Sequence, residues 1–331
     1  MIRIYTPRLR GTPFGLSMYK QGEYVKPYLE NLDEVVLGGF EAHYTPHRAL
    51  VIEDLYMFFY VRRFFNLPPH HVEKCYVWCD SAIFQPSQPV LNIVGDFKRA
   101  GRASYITFIP STSMDLKRLM ELGLPYTEVI PRTFNASAAE MALELTSSRR
   151  KEYDFAFIGW KDDIDRKNIG MILELAYRHP DWSFLIISND RRFEDLPNVE
   201  FLEFGKVNEL TKFVKLALCK WLLYPSGFEG FGVPVLEAAA VKVPAVFTSV
   251  DWHYHIAVGI PVKAEEYKDY QKPWGTMRVY KPALKDLEEA CQYALNLYGK
   301  PKYRWYCKMA YSTARKHHPL KVALKLAQLF L

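Results

Sequence analysis

Two glutamates in a glycine-rich stretch of the second half of the chain are the residues best suited to chemistry. Glu229 lies between Gly227 and Gly230, and Glu237 lies one turn into the helix expected to follow. The apolar run Lys220–Tyr224 before them predicts a buried strand. A strand, a glycine loop and a helix start in that order leave backbone N–H groups and the positive end of a helix dipole available to an anion. Because carboxylates accept hydrogen bonds from hydroxyl groups, the stretch predicts a ligand that carries both phosphate and sugar.

A second group of charged residues follows the predicted strand Asp154–Ile158, where Arg166 and Lys167 open the next predicted helix. Cations in this position suit a diphosphate leaving group, since its negative charge grows as the bond to it breaks. Two other interpretations stay open. The segment could be a solvated charged loop, or Asp163 and Asp165 could hold a divalent metal against the diphosphate. The adjacent cations favour a site without metal.

The string Ser226-x-x-Glu-Gly-Phe-Gly-x-Pro-x-x-Glu-Ala resembles the signature of retaining, GT-B-fold glycosyltransferases of glycosyltransferase family 4, also called glycosyl transferases group 1. The resemblance extends over residues 104–331 and more loosely over 1–103. It implies transfer of a sugar from a nucleotide-sugar, such as a UDP- or GDP-sugar, to an unidentified sugar, lipid or protein acceptor. It also implies retention at the anomeric carbon, no required cofactor, and a diphosphate oxygen that accepts the acceptor's proton.

The resemblance also implies a role for particular residues. Glu229 would contact the hydroxyls of the donor sugar, while Arg166 and Lys167 would hold the diphosphate, so these three are the catalytic candidates. Glu237 would bind the ribose hydroxyls. The other candidates for donor binding are Gly15, Lys161, Gly230, Phe231, Gly232 and Val233. Gly15 belongs to a loop after the first strand that resembles the family's glycine loop facing the diphosphate, and a simple turn is nearly as good an interpretation. Lys161 follows Trp160, which occupies the position where family members carry arginine.

The acceptor side is less well defined, because many family members carry a histidine after a middle strand of the first domain and this chain has none there. Asp80 and Asp96 each follow a predicted strand and are the acceptor-side candidates. Six histidines in predicted loops or at helix ends are expected at the surface: His70, His71, His253, His255, His317 and His318. The long aromatic segment Glu265–Tyr280 is a candidate lid over the site.

The first half alternates short apolar runs with helical patterns, and a second series of the same kind follows a polar stretch at Thr146–Tyr153, which is predicted to be an interdomain linker. We therefore predict an α/β protein of the GT-B fold, with two Rossmann-like doubly wound domains facing a deep cleft. The domains are residues 1–148 and 149–331, and the terminal helix could return to the first. The elements predicted in the first half are strands Ile2–Tyr5, Glu34–Leu37, Ala49–Ile52, Cys75–Trp78, Val90–Val94 and Tyr105–Ile109, and helices Ser17–Leu32, Leu55–Phe65 and Thr112–Leu122.

Composition limits the binding partners and the cellular compartment that we expect for the protein. Of 331 residues, 49% are hydrophobic and 24% charged, which is ordinary for a globular protein, and a formal charge of +6 is too small and too evenly spread to indicate nucleic acid. The five scattered cysteines and the absence of a leader or long apolar run predict a cytoplasmic protein. Basic and aromatic clusters leave peripheral membrane contact open. Two alternative functions also remain: a catalytically silent nucleotide-sugar-binding protein, and another GT-B enzyme such as a sugar-nucleotide epimerase.

Overall fold

The computed structural model describes residues 2–5, 13–30, 35–38, 47–54, 72–80, 85–99, 101, 106–250, 253–272 and 275–331. The predicted helix Leu55–Phe65 lies outside these residues. The chain divides into two compact units, each described here by itself. The first comprises Met1–Thr133, Asp269–Met277 and His317–Leu331, and the second comprises Phe134–Lys268 and Arg278–Lys316.

Strands and helices alternate along most of the chain. In order they are β1 Ile2–Tyr5, α1 Pro13–Leu29, β2 Val35–Gly38, β3 His47–Asp54, β4 Val72–Asp80, β5 Gln85–Pro86, α2 Gln88–Arg99, β6 Ile106–Pro110, α3 Ser113–Leu122, α4 Ala136–Leu145, β7 Tyr153–Ile158, α5 Ile169–Arg178, β8 Phe184–Ser188, β9 Val199–Glu203, α6 Glu209–Ala217, β10 Cys219–Tyr224, α7 Val233–Ala240, β11 Ala245–Ser249, β12 Gly259–Lys272, β13 Gly275–Pro282, α8 Leu284–Leu297, α9 Pro301–Lys316 and α10 Pro319–Phe330.

The first unit is built on a parallel sheet with the strand order β2-β1-β3-β4-β6. This is a doubly wound order, in which the chain winds first to one side of β1 and then to the other. The terminal helix α10 belongs to this unit. Its apolar face, including Leu326 and Phe330, is buried in one cluster with Ile2 of β1 and with Val25 and Leu29 of α1.

One element of the first unit differs from the prediction. Val90–Val94 is not a strand but part of α2. Val94 and Phe97 are buried while Leu91 is exposed, so the apolar residues that reach the core recur every three residues rather than every two. A short run of β-branched residues is ambiguous between the two periods, and here the helical period is the correct one.

The second unit contains a parallel sheet in the order β12-β11-β10-β7-β8-β9, with β13 pairing beyond β12. Counted from β7, this is the 3-2-1-4-5-6 order of a Rossmann fold. The winding direction reverses between the neighbours β7 and β10, which makes the gap above their carboxyl ends the expected place for a ligand. The two sheets and their helices confirm the predicted α/β fold class.

The boundary between the units lies after Thr133 rather than at residue 148. The reason is α4, whose alanines 138, 139 and 142 are buried in the core of the second unit with Phe213 and Leu216 of α6. The polar stretch Thr146–Tyr153, predicted as an interdomain linker, therefore connects α4 to β7 inside the second unit. Most of Glu265–Tyr280, the predicted lid, forms the strands β12 and β13. No helix in the described ranges is long and apolar enough to cross a bilayer.

Candidate functional site

Two loops at the switch point of the second unit bring the predicted residues together. The loop after β7 carries Arg166 and Lys167, and the loop after β10 carries Glu229. Backbone hydrogen bonds join the loops: Gly227 N–H donates to the Arg166 carbonyl at 2.8 Å, and Tyr280 N–H of β13 donates to the Gly227 carbonyl at 3.0 Å. Three segments distant in sequence are therefore fixed to one another through their main chains.

Gly227 allows this close approach because it has no side chain. A Cβ at this position would lie 1.8 Å from the carbonyl oxygen of Tyr280, so no other residue fits without moving the main chain. Asn168 reinforces the same junction. Its side-chain amide donates to the carbonyls of Pro225 at 2.7 Å and Tyr280 at 3.0 Å, and its backbone adopts a left-handed φ of 51°.

The charged groups converge on the carboxylate of Glu229. The Lys167 ammonium forms an ion pair with Oε1, and the Ser226 hydroxyl donates to the same oxygen at 2.7 Å. The Arg166 guanidinium lies 3.6 Å from Oε2. The side chains of Lys167 and Glu229 are only 7% and 8% exposed, so solvent screens this pair weakly. The site thus holds one carboxylate between two cations.

Burial and charge shift the pKa values of the pair. Burial lowers the pKa of Lys167 to about 8, and the Glu229 carboxylate offsets part of that effect. Burial alone would raise the pKa of Glu229, but the Lys167 and Arg166 cations hold it at about 2. At neutral pH the carboxylate is therefore ionised, and most of the protein carries a protonated Lys167.

Arg166 is oriented by its own partners. Its Nε lies 2.8 Å from Oδ2 of Asp162, and one terminal nitrogen donates to the Phe228 carbonyl at 3.2 Å. Lys161 points elsewhere: its Nζ is 3.3 Å from Oδ2 of Asp190, and it is exposed. Of the basic residues in this loop, Arg166 and Lys167 are thus the two that contact Glu229.

Helix α7 begins directly after this loop, at Val233. Its N-cap is Gly232, with a left-handed φ of 90°, and this glycine has no side chain that could cap the helix. Phe231 is buried, whereas Gly230 and Val233 are half-buried. A helix start without a side-chain cap keeps its first backbone N–H groups and its dipole for an anion, as the glycine pattern predicts.

Glu237 is buried in α7 and paired with a residue that the sequence does not single out. Oε1 of Glu237 is 2.6 Å from Nζ of Lys212 in α6, which also lies 3.1 Å from Glu209. The apolar face of α6 is formed by positions such as Phe213 and Ala217, so Lys212 has the pattern of a solvent-facing residue. It is nevertheless buried, with Glu237 of α7 as one of its partners.

Asp165, one of the two carboxylates considered as metal ligands in the loop after β7, has a different role in the structure. Its carboxylate accepts backbone N–H groups from Ile169 at 2.7 Å and Gly170 at 3.1 Å, which caps α5. Asp163 is exposed. Within the described part of the chain, no three or more His, Cys, Asp or Glu side chains are grouped to hold a metal ion.

The first-unit candidates are placed as follows. Gly15 lies in the first turn of α1, not in a loop. Asp80 ends β4, and its side chain lies outside the described residues. Asp96 does not follow a strand: it is exposed on α2, where it forms an ion pair with Arg99. The placement of Asp96 at a strand end, which made it an acceptor-side candidate, is therefore wrong.

His253 is a further residue whose predicted position is wrong. It is fully buried, with Nδ1 2.7 Å from the Thr248 carbonyl oxygen and its ring 5.2 Å from that of Tyr224. Burial lowers the pKa of this histidine to about 4, so it is neutral at physiological pH. The charges of Glu229 and Lys167 act on this buried ring, and the sequence pattern does not show that His253 lies near them.

Comparisons with known proteins show similarity to glycosyltransferases. Residues 165–257, which span both charged loops and α7, match the family model "Glycosyl transferases group 1". The chain is 28% identical over 213 residues to "Uncharacterized glycosyltransferase 335" of Sulfolobus islandicus rod-shaped virus 1. The alignment covers 56% of this chain and 62% of that protein. The protein named "Putative glycosyltransferase 41" of Sulfolobus islandicus filamentous virus is 26% identical over 167 residues, which cover 50% of this chain and 49% of that protein. The chain thus spans about half to three-fifths of the length of these curated relatives.

Solved structures share the whole fold at low identity. WaaG, a glycosyltransferase involved in lipopolysaccharide biosynthesis, aligns over 99% of both chains with a TM-score of 0.63 and 14% identity. Alr3699/HepE of Anabaena, crystallised with UDP-glucose, aligns over 100% of this chain and 99% of its own with a TM-score of 0.66 and 11% identity. These neighbours establish the GT-B fold of this chain.

Proposed function

We propose that the protein is a retaining, metal-independent glycosyltransferase that moves a sugar from a nucleotide-sugar to an acceptor. The observation that carries the proposal is the convergence of Lys167 and Arg166 on Glu229 at the switch point of the second unit. The match to glycosyl transferases group 1 and the names of the curated relatives support the same activity.

Lys167 and Arg166 have the charge and position to serve the departing diphosphate. Lys167 is buried and Arg166 is held by Asp162 and Phe228, so neither needs to reorganise when negative charge develops. Fixed charges of this kind stabilise a transition state more than groups that must first be oriented. The uncapped start of α7 adds backbone N–H groups for the same phosphates.

The carboxylates would recognise the sugars. Glu229 lies beside the cations that would hold the diphosphate, which suits contact with hydroxyls of the transferred sugar. Glu237 lies about one turn into α7, where a nucleoside attached to that diphosphate would place its ribose. One neighbour, Alr3699/HepE, was solved with UDP-glucose, and a pneumococcal O-GlcNAc transferase with a TM-score of 0.57 was solved with UDP and GlcNAc. UDP-sugars are therefore the first donors to test.

Metal independence follows in this proposal from the same cations. Arg166 and Lys167 lie together in the region assigned to the diphosphate and offset part of its negative charge without a divalent ion. No protein nucleophile is required, because a diphosphate oxygen accepts the proton of the attacking hydroxyl on the face that the leaving group vacates.

Proton NMR of donor turnover tests the activity and the stereochemistry together. The protein is incubated with UDP- and GDP-sugars, with and without EDTA. We expect slow hydrolysis even without an acceptor, at a rate that EDTA leaves unchanged, with the released sugar first appearing in the anomeric configuration of the donor. Release in the opposite configuration would contradict a retaining mechanism.

The same spectra separate the alternative functions. A catalytically silent binding protein would broaden or shift donor signals without consuming the donor. A sugar-nucleotide epimerase would convert the sugar while it stays attached to the nucleotide. Loss of turnover on addition of EDTA, restored by Mg²⁺ or Mn²⁺, would overturn metal independence but not the transfer reaction.

A further inference from the structure

A buried lysine stands behind the carboxylate assigned to the ribose. Lys212 of α6 lies with its Nζ 2.6 Å from Glu237 and 3.1 Å from each carboxylate oxygen of Glu209. The side chains of Lys212 and Glu237 are 11% and 8% exposed. An ammonium group removed from water to this degree needs compensating partners, and here both partners are glutamates.

The two glutamates keep Lys212 charged. Burial alone would lower the pKa of Lys212, but Glu237 and Glu209 raise it, so the lysine stays charged. The charged lysine in turn keeps the buried Glu237 ionised, because a buried carboxylate without a cation would tend to take up a proton. The anionic form is the one that accepts two hydrogen bonds from vicinal hydroxyls.

Lys212 also fixes the orientation of the Glu237 side chain. Lys212 approaches from α6, which packs beside α7, and it holds Oε1 of Glu237 from that side. A glutamate side chain has three rotatable bonds, and holding one oxygen removes most of that freedom before a ligand arrives. Neither function requires Lys212 to touch the ligand.

We propose that Lys212 is a positioning residue that holds Glu237 ionised and oriented for the ribose hydroxyls of the nucleotide. The inference rests on the proposed function, which supplies the nucleotide-sugar. It adds a requirement that the glycine-rich stretch does not contain, since Lys212 lies 25 residues before Glu237. The consequence is specific: Lys212 matters only for nucleotides that carry ribose hydroxyls.

Calorimetric titration with UDP and with 2′,3′-dideoxy-UDP tests this role, with GDP and its dideoxy analogue as a second pair. We expect the wild-type protein to bind UDP about 10- to 100-fold more tightly than the dideoxy analogue, the scale for hydrogen bonds to a charged group. In Lys212→Met this preference should fall to about threefold or less, while affinity for the dideoxy analogue stays within about twofold of the wild type.

Lys215→Met is the matched control. Lys215 lies one turn further along α6 and pairs with Glu200 instead of Glu237, so its loss should leave the ribose preference unchanged. Binding of the dideoxy analogue serves as the folding control for each variant. If Lys212→Met does not fold, Lys212→Gln keeps a hydrogen-bond donor without the charge, and it should show an intermediate preference.

The outcomes separate this inference from the proposed function. A wild-type protein that binds neither UDP nor GDP would overturn the proposed function. A wild-type protein that binds UDP and its dideoxy analogue equally would overturn the ribose role of Glu237, and the role of Lys212 with it. A ribose preference that survives undiminished in Lys212→Met, or an equal loss for both nucleotides, would overturn the role of Lys212 alone.

Discussion

The buried pair of Lys167 and Glu229 connects two loops that stand 62 residues apart in the sequence. In the ligand-free protein each charge compensates the other, which keeps both side chains ordered in a weakly solvated site. Removing one member of a buried ion pair typically costs about 3–5 kcal/mol, because the other charge is left without a partner. Here Arg166 stays close to Glu229, so a variant of Lys167 leaves the carboxylate partly compensated.

Lys167→Ala should lower kcat for donor turnover by about 10²- to 10³-fold, the loss expected when one fixed transition-state charge is removed. The matched control is Lys220→Ala. Lys220 pairs with Asp154 at the opposite ends of the same two strands, β10 and β7, far from the loops. Steady-state kinetics of both variants, with circular dichroism to confirm folding, makes the comparison. Equal kcat values in the two variants would remove Lys167 from the mechanism.

The lowered pKa of Lys167 predicts how activity depends on pH. Below about pH 8 the lysine is protonated and its charge is available to the diphosphate, and above that value the charge is lost. We therefore expect kcat/KM for the donor to fall as pH rises through 8, by up to about tenfold per pH unit. Lys167→Arg should be free of this decline, because arginine stays protonated. The same decline in both proteins would assign it to another group.

Each catalytic candidate is positioned by a strand that ends and a helix that begins, and the junction between the loops is held by main-chain contacts. Gly227 lies between the Arg166 carbonyl and Tyr280 N–H, with no room for a side chain. Asn168 bridges the same segments through its amide group. The geometry of the charges therefore depends on residues that carry no charge.

Gly227→Ala should destabilise the protein by about 2–3 kcal/mol and abolish nucleotide binding, because the added methyl group forces the loop away from β13. Gly170→Ala provides the contrast. Its Cβ would lie 3.5 Å from Asp165, an ordinary contact, and alanine is favoured over glycine in a helix by about 1 kcal/mol. Chemical denaturation and nucleotide titration of both variants measure the difference. A Gly227→Ala protein that binds nucleotide like the wild type would contradict the role given to this junction.

Prediction from the sequence was most successful for the elements of the second unit. The strands predicted at Asp154–Ile158 and Lys220–Tyr224 begin one residue after the observed strands and end at the same residues, because short apolar runs bounded by turn residues are clear there. The prediction of a strand at Val90–Val94 was wrong because a short run rich in β-branched residues fits both the helical and the strand period. Lys212 and His253 could not be found, since each is buried by an element distant in sequence. A pattern along one helix or turn does not show which neighbour will cover it.

At the scale of the whole molecule, the chain leaves its first unit after Thr133, returns to it at Asp269–Met277 and ends in it with α10. Leu326 of α10 is fully buried among residues of α1 and the first sheet, whereas Leu324 on the same helix is 57% exposed. Helix α10 at the end of the sequence therefore contributes to the core of the first unit. Sequence periodicity predicted this helix but not its place in the fold.

Leu326→Ala should lower the free energy of unfolding of the first unit by about 2–5 kcal/mol, the cost of a cavity in a packed core. Leu324→Ala removes the same atoms from an exposed position and should change it by about 0.5 kcal/mol or less. Urea unfolding of both variants gives the comparison. Similar losses in the two would contradict the packing of α10 in the first unit.

Donor binding at the switch point of the second unit is tested most directly by thermal denaturation in the presence of UDP- and GDP-sugars. A donor at 100 times its dissociation constant stabilises the folded protein by about 2.7 kcal/mol. We predict such stabilisation by at least one donor in the wild type and in Lys220→Ala, and its loss in Lys167→Ala at the same concentration. Absence of stabilisation by every donor, or the same stabilisation in Lys167→Ala, would contradict a donor site built on Lys167, Arg166 and Glu229.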